Sequence, residues 1–239
     1  MKSDTRKREE LINKIQAASG RPLGMRHRWK MVVWNFTINF SYFLKRSLDV
    51  VVSTIMLILL APLFLFTAIG IYLENPGPIF YTQIRVGRDG RHFDFYKFRS
   101  MVVGADKMKD TLMQDNESDD GVIFKMKRDP RVTTIGRFIR KFSIDELPQL
   151  LNVLKGDMSL VGPRPALPRE VAEYTLDQRK RLHITPGITC IWQVSGRSDI
   201  PFSRQVQLDL DYIQSSGFFN DTLILLKTIP AVLTGKGAY

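Results

Sequence analysis

The sequence is poor in the residues that build covalent cross-links and metal sites. Its 239 residues include one cysteine, Cys190, and three histidines without metal-ligand spacing. A single cysteine excludes a disulfide framework and a zinc site built from cysteines. The chain also contains neither a phosphate-binding loop nor a dinucleotide-binding fingerprint. The first 30 residues have no apolar core, so we expect no cleavable signal peptide.

Acidic residues are also scarce relative to basic ones. The chain has 35 Lys and Arg against 24 Asp and Glu, which gives a formal net charge of +11. Such a balance predicts a polyanionic partner, which could be nucleic acid, anionic lipid or a phosphorylated substrate. A nucleic-acid binder would combine its basic runs with stacking aromatic residues, but the basic run 124–141 offers only Phe124 and Phe138. We therefore expect no nucleic-acid partner.

One apolar run dominates the first third of the chain. Val50–Leu73 is 24 residues long, uncharged and centred on Pro62. The run is long enough to cross a bilayer, which takes about 20 helical residues, but basic residues flank both of its ends. The positive-inside bias would keep both flanks in the cytoplasm. Because proline kinks a helix, we predict a re-entrant helix broken at Pro62, the alternative being a spanning helix that tolerates the proline.

These features divide the chain into three regions. Residues 1–44 form a basic N-terminal extension with an aromatic segment at Met31–Leu44. Trp and Tyr favour the headgroup level of a membrane, so this segment predicts an interfacial helix, the alternative being a helix packed on the soluble domain. Residues 45–74 contain the membrane helix, and residues 75–239 are expected to form one compact domain.

The fold class expected for residues 75–239 is α/β, as a small mixed α+β domain with interfacial amphipathic helices. Ile79–Val86 and His92–Met101 predict strands that are joined by a hairpin turn at Arg88-Asp89-Gly90. Helices are expected at Glu9–Ala18, Ala105–Gln114, Ser143–Leu154, Pro168–Leu182, Ser203–Ser215 and Leu223–Leu233. A further strand is expected at Ile188–Val194, and Asp115–Gly121 predicts an exposed acidic loop.

The sharpest candidate for chemistry is the adjacent carboxylate pair Asp145 and Glu146, which follows a basic run. One interpretation is a capping box between Ser143 and Glu146, but Pro148 would then interrupt the second turn of the helix. A helix that starts at Asp145 avoids this conflict. Its dipole and the nearby arginines would keep Asp145 ionised, ready to attack phosphorus or bind a metal ion. Capping and function both remain open at this point.

A second candidate is the segment Gly162-Pro163-Arg164-Pro165. Two prolines fix the backbone on either side of Arg164, whose guanidinium suits a phosphate or a base edge. The alternative is a tight structural turn with a solvated arginine. Lys97 and Arg99, which share one strand face, and Arg197 are further candidates for phosphate contacts, although each could instead be a solvated surface charge.

Six motifs in a fixed order carry a family resemblance. They are Lys45–Asp49, Asn75–Pro78, Tyr96–Met101, Asp145–Gln149, Gly156–Pro165 and Trp192–Arg197. From about Leu44 to Tyr239 the sequence resembles the monotopic bacterial phosphoglycosyl transferases, which are sugar transferases that act on polyprenyl phosphate. Two departures stand out: Ala61-Pro62 replaces the common Ser-Pro at the helix break, and Cys190 replaces a common glycine.

The resemblance implies a reaction and a set of site residues. A sugar-1-phosphate would pass from a UDP-sugar to undecaprenyl phosphate, with release of UMP. Asp145 would be the nucleophile that forms a phosphosugar-aspartyl intermediate, and Glu146 would help to hold Mg²⁺. The residues that the family matches around the nucleotide, the phosphates and nearby positions are Lys97, Arg99, Arg140, Asp157, Pro163, Arg164, Pro165, Arg197 and Asp209.

The resemblance also favours the re-entrant helix and places the protein in the bacterial inner (cytoplasmic) membrane, with its catalytic domain on the cytoplasmic face. Membrane lipid would be a partner, larger family members suggest a homodimer, and galactose or glucose is the favoured sugar. The product would enter exopolysaccharide, capsule or lipopolysaccharide O-antigen synthesis. With about 44 residues before the matched region, the chain predicts a minimal transferase. The alternative function is a catalytically silent scaffold, but the intact Asp145–Glu146 pair and Arg164 count against it.

Overall fold

The computed structural model describes residues 25–108, 126 and 129–235. The chain divides into two compact units between Leu44 and Lys45. The first unit contains the start of helix α1 (Met25–Leu59), where Trp34 and Phe36 are exposed. The helix predicted at Glu9–Ala18 and the acidic loop predicted at Asp115–Gly121 lie outside the described residues.

The apolar run is divided between two helices in the second unit. Helix α1 ends at Leu59, and helix α2 (Ala61–Glu74) begins after a break at Leu60, with Pro62 in its first turn. Proline is tolerated there because the first N–H groups of a helix have no partner within it. In the described part of the chain no single helix is long and apolar enough to cross a membrane, whereas α1 from Trp29 and α2 satisfy that requirement together as a pair bent by 60°.

An antiparallel hairpin follows helix α2. Strands β1 (Phe80–Val86) and β2 (His92–Phe98) pair with Phe80 opposite Phe98 and Val86 opposite His92. The turn between them is a 3₁₀ turn at Arg88–Gly90. Both predicted strands are confirmed, although β2 ends three residues before the expected Met101, which forms only an isolated bridge.

The elements after the hairpin are short until the last two helices. They are α3 (Thr134–Lys141), a 3₁₀ turn (Ile144–Glu146), α4 (Gln149–Lys155), β3 (Ser159–Val161), α5 (Pro168–Ala172), α6 (Leu176–Arg179), a 3₁₀ turn (Lys180–His183), β4 (Gly187–Thr189), α7 (Ile191–Ser195), a 3₁₀ turn (Arg197–Asp199), α8 (Phe202–Ser215) and α9 (Phe218–Thr234). Helices α8 and α9 confirm the last two predicted helices, and the second unit has the expected mixture of helices and small sheets.

The prediction of one helix over Pro168–Leu182 is wrong, because the segment breaks into α5, α6 and a 3₁₀ turn. Thr175 caps a new helix together with Gln178, and this capping box restarts the chain in the middle of the expected element. Ala105–Met108 forms turns instead of the start of a helix, and residues 109–114 lie outside the described residues.

The strand predicted at Ile188–Val194 is wrong after Thr189. Its partner β3 is only three residues long, so strand pairing ends and α7 begins at Ile191. The helix expected to start at Asp145 starts at Gln149 instead. Pro148 lacks an N–H and is accommodated before the first turn of α4, and the residues ahead of it form a 3₁₀ turn.

Strands β3 and β4 pair in parallel and hold the loop that carries Arg164. Ser159 lies opposite Gly187, and Val161 lies opposite Thr189. A Cβ on Gly187 would lie 2.0 Å from the backbone nitrogen of Gly162. Only glycine permits two backbones to approach so closely, so this contact fixes the start of the loop.

Helix α1 is attached to the rest of the second unit through a buried ion pair. Lys45 Nζ pairs with the carboxylate of Asp221 on α9 and donates a hydrogen bond of 3.0 Å to the Val161 carbonyl oxygen on β3. The Tyr212 hydroxyl lies 2.8 Å from the other Asp221 oxygen. Asp221 and Tyr212 are fully buried, so the lysine ties α1 to two elements of the core.

The residues that follow Lys45 on α1 make further polar contacts with the same core. Arg46 donates hydrogen bonds of 2.6 and 2.8 Å to the carbonyl oxygens of Val153 and Leu154, which end α4. Asp49 accepts a hydrogen bond of 2.9 Å from the Leu160 backbone N–H. The Lys45–Asp49 motif therefore connects α1 to α4, β3 and α9.

The C-terminal end of α2 contacts α3. The Glu74 carboxylate accepts hydrogen bonds of 2.6 and 2.8 Å from the backbone N–H groups of Thr134 and Ile135, the first residues of α3. Residues of α2, β2 and α3 also pack together in an apolar cluster. Its buried members are Ile71, Phe98 and Ile139, and its partly buried members are Phe64, Ile79, Ile135 and Ile144.

Candidate active site

Asp145 and Glu146 lie in the 3₁₀ turn between α3 and α4, and the expectation that they open an α-helix is wrong. Ser143 precedes them with φ of 55°, a left-handed conformation that is uncommon for residues other than glycine. Its side chain makes no capping hydrogen bond. The capping interpretation is therefore excluded, and the Glu146 side chain is directed to basic residues instead.

Glu146 is held between two cations from distant parts of the chain. Its Oε1 lies 2.8 Å from Lys97 Nζ on β2 and 2.7 Å from Arg164 Nη2. Its Oε2 accepts a longer hydrogen bond of 3.3 Å from Arg164 Nη1. Burial alone would raise the pKa of Glu146, but the charges of Arg164 and Lys97 outweigh burial and hold that pKa below its usual range.

Asp145 is buried beside this ion pair with 5% of its surface exposed. Burial raises the pKa of its carboxyl group, and the negative charge of Glu146 raises it further, although Lys97, at 3.7 Å, partly offsets both. The expected contribution of a helix dipole to the ionisation of Asp145 is absent, whereas its ionised state stays a prediction. No α-helix starts at this residue, and its loss of hydration outweighs the nearby positive charges.

The Pro-Arg-Pro loop is fixed on both sides of its arginine. The Pro163 carbonyl oxygen accepts a hydrogen bond of 2.9 Å from the Gly187 N–H, and the Pro165 carbonyl oxygen accepts one of 3.0 Å from Arg85 Nη1. Arg164 between them makes the paired contacts with Glu146 described above. The alternative of a structural turn with a solvated arginine is therefore excluded.

Three further predicted residues lie around the carboxylates at different depths. Arg140 on α3 donates from Nε to Ser100 Oγ at 2.9 Å, and its charge acts on Asp145. Arg197 has φ of 53° and acts electrostatically on Glu146, and its Nη1 has no hydrogen-bond partner among the described residues. Arg99 is buried farther away, where it donates to the Asn75 carbonyl oxygen after α2.

Two predicted residues lie apart from the carboxylate pair. Asp209 on α8 is fully buried and pairs with Arg181 Nη2 at 2.5 Å, and burial raises the pKa of Asp209 to about 6. Asp157 follows the end of α4, where its backbone N–H donates to the Asn152 carbonyl oxygen. Their roles stay predictions from the family.

Sequence reasoning missed Arg85 and Arg181. Arg85 was considered only as one of the basic residues that flank the apolar run. The signal that could have found it is the alternation on β1, where the partly buried positions are Tyr81, Gln83 and Arg85. Arg181 has no such signal, because its partner Asp209 is brought to it by tertiary packing.

The carboxylates also bear on the predicted Mg²⁺. Among the described residues no group of three or more His, Cys, Asp or Glu side chains is placed to hold a metal ion. Mg²⁺ in phosphate-transfer sites is usually held by one or two carboxylates together with substrate phosphates. Glu146 Oε2 accepts only a long hydrogen bond and keeps acceptor capacity, so the site fits a Mg²⁺ ion that is shared with a phosphorylated substrate.

Positive charge exceeds negative charge in this region. Four cationic side chains act on two carboxylates, one of which has a raised pKa. They are Lys97, Arg140, Arg164 and Arg197. A site with such an imbalance attracts an anion with more than one charge, and a buried carboxylate beside it can act as a nucleophile.

Known proteins with similar sequences indicate the family of this chain. Residues 40–235 match the family described as "Bacterial sugar transferase". The "Undecaprenyl-phosphate galactose phosphotransferase" of Salmonella typhimurium is 45% identical over 212 residues, which cover 86% of this chain and 44% of the relative. The "Exopolysaccharide production protein ExoY" of Rhizobium meliloti is 39% identical over 198 residues, which cover 82% of this chain and 88% of the relative.

A third relative has a different sugar in its name. The "UDP-N-acetylgalactosamine-undecaprenyl-phosphate N-acetylgalactosaminephosphotransferase" of Aeromonas hydrophila is 41% identical over 206 residues, which cover 82% of this chain and 45% of the relative. The chain thus spans less than half the length of the Salmonella and Aeromonas proteins. Because the family match extends over most of the sequence and includes every residue of the carboxylate site, the chain belongs to the bacterial sugar transferase family.

Proposed function

We propose that this chain transfers a sugar-1-phosphate from a UDP-sugar to undecaprenyl phosphate, with release of UMP and formation of an undecaprenyl-diphosphate-sugar. The observation that carries the proposal is the buried Asp145 beside Glu146, whose carboxylate is held by Lys97 and Arg164. The names of the Salmonella and Aeromonas relatives support undecaprenyl phosphate as the acceptor and a galactose-type sugar in the donor. The product would start the synthesis of an exopolysaccharide, capsule or O-antigen.

The first step uses Asp145 as the nucleophile. One carboxylate oxygen attacks the phosphorus that carries the sugar, a new O–P bond forms, and the bond from that phosphorus to the bridging oxygen breaks, so that UMP leaves with the electron pair. Lys97 and Arg164 are already fixed by Glu146, so they can stabilise the developing negative charge without reorganisation. The ionised form of Asp145 is required, because a protonated carboxyl is a poor nucleophile.

The second step regenerates the site. An oxygen of undecaprenyl phosphate attacks the same phosphorus, the aspartyl O–P bond breaks, and Asp145 leaves as a carboxylate. Arg140, Arg99 and Arg197 supply further positive charge for the two phosphorylated substrates. Glu146 would help to hold Mg²⁺, which supplies Lewis-acid stabilisation of phosphate charge when it is bound.

The membrane segment supports an acceptor that is a lipid. We propose that α1 and α2 enter the inner membrane and return to its cytoplasmic face, which is favoured by the 60° bend and by basic residues on both sides. Helix α9 exposes large apolar side chains, since Phe219, Leu226 and Leu233 are exposed while Asp221 and Ile224 are buried. An interfacial position of α9 would place the active site at the level of the lipid phosphate.

Release of UMP tests the proposal directly. Purified protein in detergent is mixed with undecaprenyl phosphate, Mg²⁺ and, one at a time, UDP-galactose, UDP-glucose and UDP-N-acetylgalactosamine. We expect continuous UMP release from at least one donor, and about one equivalent of UMP per protein when the lipid is left out, because Asp145 then stays phosphorylated. A folded sample that releases no UMP from any donor would contradict the proposal and favour the silent scaffold.

The raised pKa of Asp145 predicts that acidification reduces activity at a higher pH than it would for an ordinary carboxylate. Burial favours the protonated carboxyl. As the pH is lowered, activity should therefore begin to fall at a pH above the usual carboxyl range near pH 4. Below the raised pKa, kcat/KM should fall about tenfold for each pH unit. Glu146 should stay ionised throughout, because the charges of Arg164 and Lys97 lower its pKa. UMP release measured from about pH 4 to about pH 8 checks this, and a flat profile down to pH 4 would contradict it.

A further inference from the structure

Arg85 on β1 lies beside the active site without a role in the chemistry proposed above. Its Nη1 donates a hydrogen bond of 3.0 Å to the Pro165 carbonyl oxygen, and its Nη2 donates one of 2.9 Å to Gln83 Oε1. Its guanidinium carbon lies 5.2 Å from the centre of the Phe95 ring. These contacts fix the guanidinium plane and connect β1 to the loop that presents Arg164.

The contacts of Arg85 continue around the active site as a closed ring. The Phe95 ring carries a second cation, since Lys97 Nζ lies 5.5 Å from its centre. Lys97 and Arg164 both contact Glu146 Oε1, at 2.8 and 2.7 Å. Arg85 thus closes a ring that returns to Arg164 through the adjacent Pro165. A change at Arg85 is therefore expected to move both cations that face the carboxylates.

The charge of Arg85 also lacks a direct counter-ion. No carboxylate of the described residues lies within ion-pair distance of it, and its buried Nε has no hydrogen-bond partner among them. Burial and the neighbouring charge of Arg164 lower the pKa of Arg85 to about 10, which leaves it positive at neutral pH. A partly buried charge without a direct ion pair costs stability, and groups whose pKa is shifted by burial and a neighbouring charge cluster at functional sites.

We infer that Arg85 is a positioning residue for the donor diphosphate, because it fixes the Pro165 carbonyl and through it the loop that presents Arg164. The inference rests on the proposed function and adds a residue to the donor site. Arg85 acts through Arg164 and Lys97, which would contact the donor phosphates in the bound substrate as well as in the transition state, so its loss should raise the KM for the donor and also lower kcat, although by a smaller factor.

Two variants test this role. Arg85→Met keeps an unbranched stem against Phe95 without the charge, and Arg85→Lys keeps the charge but cannot make the forked contacts with Pro165 and Gln83. We expect the KM for the UDP-sugar to rise about tenfold or more in both variants, with a smaller fall in kcat. Arg91→Met, at an exposed arginine of the same hairpin, is the control and should match wild type.

Steady-state UMP release and thermal unfolding, measured on the same detergent samples, separate the outcomes. An unchanged KM in Arg85→Met, or a loss of activity that only follows a loss of folded protein, would overturn the inference. If wild type releases no UMP from any donor, the proposed function fails. Calorimetric titration with UDP alone then tests the role of Arg85 separately. Binding of UDP that is about tenfold weaker in both variants supports the role of Arg85, while equal affinity, or no binding by wild type, overturns it.

Discussion

Asp145→Asn is expected to abolish turnover, with UMP release slower by at least about 10⁴-fold. The amide has nearly the shape of the carboxylate but is not a nucleophile, so no phosphosugar adduct can form. Stability should be unchanged or increased. Burial raises the pKa of Asp145, which means that its carboxylate is less stable in the folded protein than in water, and a neutral amide removes that cost.

Mass spectrometry of the intact protein measures the first step in isolation. After incubation with a UDP-sugar and Mg²⁺ but no lipid, wild type should gain the mass of one phosphosugar, and Asp145→Asn should gain none. Asp211→Asn, at an exposed aspartate of α8, is the matched control and should be labelled like wild type. Labelling or turnover in Asp145→Asn would show that another residue is the nucleophile.

Asp221→Asn is expected to give the largest loss of stability. It removes the negative partner of Lys45 while the ammonium group stays beside the Val161 carbonyl and the buried Tyr212. Breaking a buried ion pair from one side costs about 3–5 kcal/mol, and the lower limit applies here because 17% of the Lys45 side chain is exposed. A loss of about 3 kcal/mol corresponds to a fall in Tm of roughly 6–12 °C for a domain of this size.

Thermal unfolding in detergent checks this value, again with Asp211→Asn as the control. A double variant, Lys45→Met with Asp221→Asn, gives a sharper test. Because it removes both charges, it should lose less stability than the sum of the two single variants. A Tm for Asp221→Asn that lies within about 2 °C of wild type would show that the pair contributes little.

The elements that the sequence predicted well are those defined by local patterns. The hairpin follows from alternating residues around Arg88–Gly90, and α8 and α9 follow from helical periodicity. The break before Leu176 has a local signal in the capping box of Thr175 and Gln178, which the prediction of one helix over Pro168–Leu182 did not use. The left-handed conformation of Ser143 was not predictable, since residues other than glycine rarely adopt it.

The site was predictable as a list of residues but not as an arrangement. Motifs and family resemblance selected Lys97, Glu146 and Arg164, yet nothing in the sequence shows that the two cations share one carboxylate oxygen. The raised pKa of Asp145 was missed because burial is a property of the packed domain and not of the local sequence. Asp209 shows the same limit, since its pairing with Arg181 depends on how α8 packs.

The contact between Glu74 and α3 bears on any attempt to make a soluble version of this protein. Glu74 belongs to the segment that a conventional truncation would discard as an anchor. A fragment beginning at Asn75 would leave the first N–H groups of α3 without acceptors and would expose Phe98 and Ile139 to water. Solubility is therefore better sought by replacing exposed side chains of α2, such as Phe66 and Leu73, while the backbone up to Glu74 is kept.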